Sequence, residues 1–181
     1  MKTSSSLIEE FLKEAEQVSD KAKKFTSLKK NQLNWRPDNK RWSVGESFEH
    51  LIRTNKLYLP YFEKSTQGKK SSGLFKHTLM GKIMMKIVSP YTKMKFKTPK
   101  SLNPSRSNIQ GSIVNDFLKQ HEYFVQLAGN LKNVDLKEIV TSPINSFVKY
   151  NLGDCFLIIA LHDQRHLLQA ERVTMEEGFP Q

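Results

Sequence analysis

Four times along this chain, apolar residues recur at alternating steps of three and four, a rhythm that admits little except amphipathic helices packed side by side. The first seam runs Ile8, Phe11, Ala15, Val18, Ala22, Phe25, and the second Val44, Phe48, Leu51, Asn55, Tyr58, Phe62. The third reads Gln110, Ile113, Phe117, Gln120, Phe124, Ala128, Leu131, widened by Val114, His121 and Val125. The fourth lies between about Leu152 and Glu177, closed by Gly178 and Pro180. Ser6 with Glu9, Ser43 with Glu46 and Ser107 with Gln110 have capping-box spacing, in which two side chains satisfy each other's orphan amides. Asn151 with Asp154 is a weaker relative of the same signal. The expected fold is therefore all-α: a four-helix bundle forming one domain over residues 1–181. Its core is expected to pass through Phe11, Phe48, Leu51, Phe117, Phe124 and Ile159, with no substantial sheet.

A long connection, roughly Lys64 to Arg106, separates the second and third seams. Gly68 to Gly73 reads as a polar loop and Pro90 to Pro104 as an extended, proline-punctuated stretch. Between them Phe75, Leu79, Ile83 and Ile87 predict a short amphipathic helix, with Lys76, Lys82 and Lys86 off that line. So long a connection permits a crossover, leaving the helices on either side of it parallel.

The formal charge of +11 belongs to this one segment: between Lys64 and Asn115 there are eleven basic residues and no acidic one, leaving 18 of each sign elsewhere. Lysines interleaved with Phe75, Tyr91, Met94 and Phe96 make a non-catalytic binding module for phosphates, bases or an acidic membrane surface one reading of the chain. No recognisable nucleic-acid module accompanies them, so the expectation is weak, salt-sensitive, sequence-independent binding to polyanions. The longest apolar run, Cys155 to Leu161, is far short of the ~18 residues of a membrane span. Met1 to Phe11 lacks the apolar region of a signal peptide, and the single cysteine allows no internal disulfide. Both features lead to the expectation of a cytoplasmic protein, with Cys155 a buried, inert thiol.

The chemistry concentrates in His162-Asp-Gln-Arg-His166. Two histidines four apart on a helix project one turn apart from the same face, close enough to share a metal ion. The seam of that helix reads Leu152, Cys155, Ile159, His162, His166, Gln169, Val173, so polar residues take over inward positions halfway along. Buried imidazoles cost about 1–3 kcal/mol each when unpaired, and a shared metal would satisfy both. A third ligand must come from another helix. His50, one turn into the second helix beside Thr54, Leu57 and Tyr61, is the best candidate, although that helix taken alone favours a partly exposed, water-bonded histidine. His121 is expected to be a hydrogen-bonded core histidine or a partner behind the site, and His77 to be solvated. No carboxylate is obviously placed as a general base: Asp163 should point away from His162, and Glu46 is explained by its cap.

Trp42-Ser-Val-Gly-Glu46 leading to His50-Leu51, with the late His162-x-x-x-His166-x-x-Gln169, resembles the DinB/YfiT-like superfamily. Leu33-Asn-Trp35-Arg-Pro37 resembles the loop preceding its second helix, and Lys97-Thr-Pro99 to Pro104 its basic approach to the third. The resemblance implies a bundle with a long crossover and a three-histidine site for a divalent ion, carried here by His50, His162 and His166. Neutral imidazole suits zinc or nickel. It further implies metal-dependent transfer of a small thiol to an electrophile, as in bacillithiol transferases and mycothiol-dependent isomerases, with a metal-dependent hydrolase as the alternative. Relatives often pair through bundle faces, which makes a homodimer a further expectation.

Overall fold

The structure is a computed structural model that describes residues 2–68, 74–94 and 96–181. The polar loop expected at Gly68–Gly73 lies, from residue 69 onward, outside them. The bundle is built from α1 (Ser4–Lys23), α3 (Val44–Ser65), α5 (Ile113–Gly129) and α6 (Leu152–Thr174), with α2 (Lys30–Asn34) and α4 (Leu79–Val88) as short additions. Among the described residues, no helix is long and apolar enough to cross a membrane.

Local capping chemistry sets where these helices begin. Glu46 N–H donates to Ser43 Oγ (3.1 Å) and Ser43 N–H to Glu46 Oε2 (2.9 Å), closing the expected box at the head of α3. Asn151 and Asp154 do the same for α6, with Asp154 N–H on Asn151 Oδ1 at 2.9 Å. The other two boxes differ. The head of α1 is capped three residues earlier than expected, by Thr3 with Ser6 rather than Ser6 with Glu9. Ser107 with Gln110 caps nothing, because α5 starts only at Ile113. The Asn34 amide occupies both backbone groups of Ile109, donating to its carbonyl and accepting from its N–H at 2.9 Å each. A residue held at both groups this way cannot join the i to i−4 ladder of a helix.

In the bundle, α6 and α5 each neighbour both α1 and α3, and α1 and α3 stand diagonally. Phe48 meets Phe117 (centroids 5.4 Å) and, further along, Phe62 meets Phe124 (5.3 Å), so α3 and α5 run parallel, as the long crossover permits. α1 and α6 are parallel too: Leu7 touches Gly153 near both starts, and Gln164 donates to Glu14 further along. Against these, α3 and α6 are antiparallel, with Phe62 stacked on Phe156 at one end and His50 beside His162 nearer the other.

Two apolar clusters fill the interior, one around Phe11, Phe62, Phe124 and Phe156, the other around Phe25, Phe48, Leu51 and Phe117. All six residues expected in the core seam are buried. Among the buried polar residues of α3, α5 and α6, Asn55, His121 and Asp163 come together. Two short antiparallel pairs were not expected from the sequence: β1 (Lys2–Thr3) with β2 (Leu74–Phe75), and β3 (Ile139–Thr141) with β4 (Lys149–Asn151). At two or three residues each they leave the fold all-α, and the second delivers the chain directly into α6.

The crossover helix presents a different face from the one its sequence suggested. Phe75 is buried in β2, Leu79 and Ile83 face solvent, and Met80, Met84, Met85 and Val88 pack on the core. Gly81 explains the choice. A Cβ there would lie 2.0 Å from Asp154 Oδ2, so the glycine face is the only one that can rest on the start of α6. Asp154 then fastens the helix, accepting from Thr78 N–H (3.1 Å), Thr78 Oγ1 (2.7 Å) and His77 Nδ1 (2.7 Å). His77 is thus a structural donor and not the solvated side chain expected.

Candidate metal centre

The three expected histidines meet. α3 carries His50, α6 carries His162 and His166, and one ligand nitrogen of each lies within 4.8 Å of the others. Trp42, just upstream of α3, walls the cluster, its ring 4.8 Å from that of His50 and 5.7 Å from that of His166. The indole N–H donates to Ser105 Oγ at 3.0 Å, which ties this wall to the end of the crossover.

Hydrogen bonds on the far side of each ring fix its proton. His50 Nδ1 lies 2.9 Å from the carbonyl of Leu102, in a 3-10 turn at Lys100–Leu102 between the crossover prolines. A carbonyl only accepts, so the proton is on Nδ1 and Nε2 carries a lone pair. His166 Nδ1 likewise donates to Gln169 Oε1 at 3.1 Å, leaving its Nε2 bare. Gln169, on the same face one turn on, therefore orients the His166 ring. Burial holds all three imidazoles below the usual histidine range, most strongly His162 and His166, helped by the neighbouring rings and the Arg165 charge. They are neutral near pH 7, the form that binds metal.

His162 has no self-consistent hydrogen-bond pattern. Its Nε2 stands 3.3 Å from His50 Nε2, and its buried Nδ1 has no hydrogen-bond partner among the described residues. If its proton sits on Nε2, the pair is satisfied but Nδ1 is left bare and buried. If it sits on Nδ1, two lone pairs face each other. A cation held by these imidazoles would remove the conflict, leaving the His162 proton on Nδ1, 3.9 Å from Asp163 Oδ1. The residues present fit an imidazole-bound divalent ion.

Asp163 is where sequence reasoning fell short. Expected to point away from His162, it is fully buried behind that ring, accepting from Asn55 Nδ2 at 3.1 Å on both oxygens, with His121 Nδ1 4.0 Å off. Burial pushes its carboxyl up to about 7. The polar Asn55 and His121 on otherwise apolar seams were the signal that could have located it. His121 itself is the core histidine expected, its Nε2 donating to the Ala15 carbonyl at 2.8 Å. Glu46 does more than cap: it also pairs with Arg36 and accepts from Arg106 N–H at 2.7 Å, where the backbone takes φ 68°. Cys155 is fully buried on α6, its thiol pushed up by burial and by Asp154.

A model of the DinB superfamily matches residues 12–170, a span containing all three histidines. No curated protein and no solved structure matches the chain.

Proposed function

The chain belongs to the DinB superfamily, and on that premise we propose that His50, His162 and His166 hold one divalent ion, zinc or nickel, used to transfer a small thiol to an electrophile. The observation that carries the metal is the convergence of three neutral imidazoles, two of them with the proton pinned on the far nitrogen. When bound, such an ion lowers the pKa of a thiol or a water that reaches its open positions.

The chain's own residues favour the thiol. Cys155 is buried and resists ionisation, so the nucleophile arrives with the substrate. A hydrolase would be helped by a carboxylate on the open side to take a proton from water. Asp163 sits behind His162, and Glu46 is occupied by Ser43, Arg36 and Arg106. A thiol needs no such base: its proton goes to solvent, and sulfur bonds to the electrophilic carbon as the leaving group departs with its electron pair. Trp42 excludes water from one side of the rings, while the Leu102 carbonyl and Gln169 hold them in place.

Protein purified without a histidine tag should contain close to one zinc or nickel ion per chain, and a His162→Ala, His166→Ala double variant should contain none. Metal-loaded protein screened against cellular thiols with a chromogenic electrophile should turn over, lose activity in His50→Ala and keep it in Cys155→Ser. The same trace of metal in wild type and double variant, or turnover that survives His50→Ala, would overturn the assignment. Metal-dependent ester or amide hydrolysis without any thiol would shift the reading to a hydrolase.

A further inference from the structure

Half of the large hydrophobic side chains that the described residues leave exposed lie between Leu74 and Phe96. The same stretch of chain, Lys64 to Asn115, has eleven basic residues and no acidic one. We propose that this surface docks peripherally on membranes rich in anionic lipid, its apolar side chains entering the interface and its lysines meeting the headgroup phosphates.

The exposed residues lie on one face of α4 and in the loop that follows it. On α4, Leu79, Lys82, Ile83 and Lys86 follow the i, i+3, i+4, i+7 pattern of one helical face, and all four are exposed. The opposite face is already spent on the core through Met80, Met84, Met85 and Val88. After α4 the chain turns at Ser89–Thr92 and comes back: one guanidinium, that of Arg165, donates to both the Ile87 carbonyl (2.9 Å) and the Met94 carbonyl (2.7 Å). Tyr91 therefore stands at the tip of a short loop beside the last turn of α4, 89% exposed, with Met94 and Phe96 following it into solvent. Leu79, at the other end of the helix, is 77% exposed.

Apolar side chains interleaved with cations, in a stretch whose own sequence holds no carboxylate, are what an anionic bilayer surface recognises; Lys64, at the edge of that stretch, pairs with Glu138 at 3.6 Å. Nucleic acid fits less well. The two exposed apolar residues on α4 are aliphatic, leaving only Tyr91 and Phe96 to stack on bases, and ten of the eleven cations are lysine, which meets phosphate as a point charge. The carboxylates nearest in sequence, Glu63 and Asp116, lie outside the stretch, and Glu63 accepts from Tyr123.

Co-sedimentation of the full chain with phosphatidylcholine vesicles, with and without about 30% phosphatidylglycerol, tests the proposal. The protein should pellet with the anionic vesicles and stay in solution with pure phosphatidylcholine. Lys82→Ala with Lys86→Ala should weaken binding about 25-fold, roughly fivefold per lysine. Leu79→Ser with Ile83→Ser should also weaken it, even at low salt, which a purely electrostatic contact would not feel. All four side chains are exposed, so circular dichroism of both variants should match wild type. Absence of binding to anionic vesicles would overturn the proposal. So would an oligonucleotide binding more tightly than the vesicles while the Leu79, Ile83 variant binds both as wild type does, and that result would assign the patch to nucleic acid.

Discussion

The burial that keeps the three imidazoles neutral also sets how the metal-free protein answers to acid. A histidine with a depressed folded pKa binds fewer protons folded than unfolded. Above about pH 6.5 both states are neutral and nothing is lost; below it the unfolded chain takes up protons that the native site refuses, so stability falls as pH falls. Asp163 acts in the opposite sense. Its folded pKa of about 7 exceeds the ordinary 3.8, so between those values the native carboxyl keeps a proton the unfolded one has lost, and its contribution declines as pH rises. Urea midpoints of chelator-treated protein should therefore drop from pH 6.5 to 5. Asp163→Asn should steepen that drop and raise stability at pH 8, where the ionised side chain is buried. An unchanged profile in the variant would show that Asp163 does not titrate in this range. At this scale the sequence was only half legible. His162 and His166 announce themselves by spacing, whereas His50 on its own helix looks like any flank histidine, and its partner Leu102 lies 52 residues away.

At the scale of elements, local signals survived and long-range ones did not. The Ser43–Glu46 and Asn151–Asp154 boxes were readable because every atom they need lies within four residues. Ser107 with Gln110 has the same spacing and fails, because Asn34, remote in sequence, claims the intervening Ile109. The line Leu79, Ile83, Ile87 indicates the wrong face of α4, because Met80, Met84, Met85 and Val88 are apolar too and Gly81 matters only through Asp154. That contact makes a sharp test. In Gly81→Ala the new methyl group meets a carboxylate that Thr78 and His77 hold in place, so α4 must lift. A cost of about 1–3 kcal/mol is expected, as for overpacking elsewhere. Hydrogen exchange should accelerate across residues 79–88 while α3 and α5 remain protected. Uniform acceleration throughout the bundle would mean that α4 is no separate unit.

For the whole molecule, the candidate centre joins two antiparallel helices, so any ion it binds stabilises the entire bundle. At a free metal concentration of a hundred times Kd the gain is about 2.7 kcal/mol, or roughly 5–10 °C in Tm for a chain of this size. His50→Ala should abolish that rise, while Leu79→Ser, remote from the histidines, should keep it. The parallel arrangement of α3 and α5 was legible in the length of the crossover, and the two small sheets were not, since strands of two or three residues show no periodicity. The second parallel pair, α1 with α6, gives the bundle a mechanical grain. A force applied between the start of α1 and the end of α6 pulls the two helices lengthwise past each other, loading every contact along ~34 Å of α6 at once. Pulled instead between the end of α3 and the start of α6, where Phe62 and Phe156 stack, the bundle peels one contact at a time. The molecule is a lap joint along one axis and a zipper along the other.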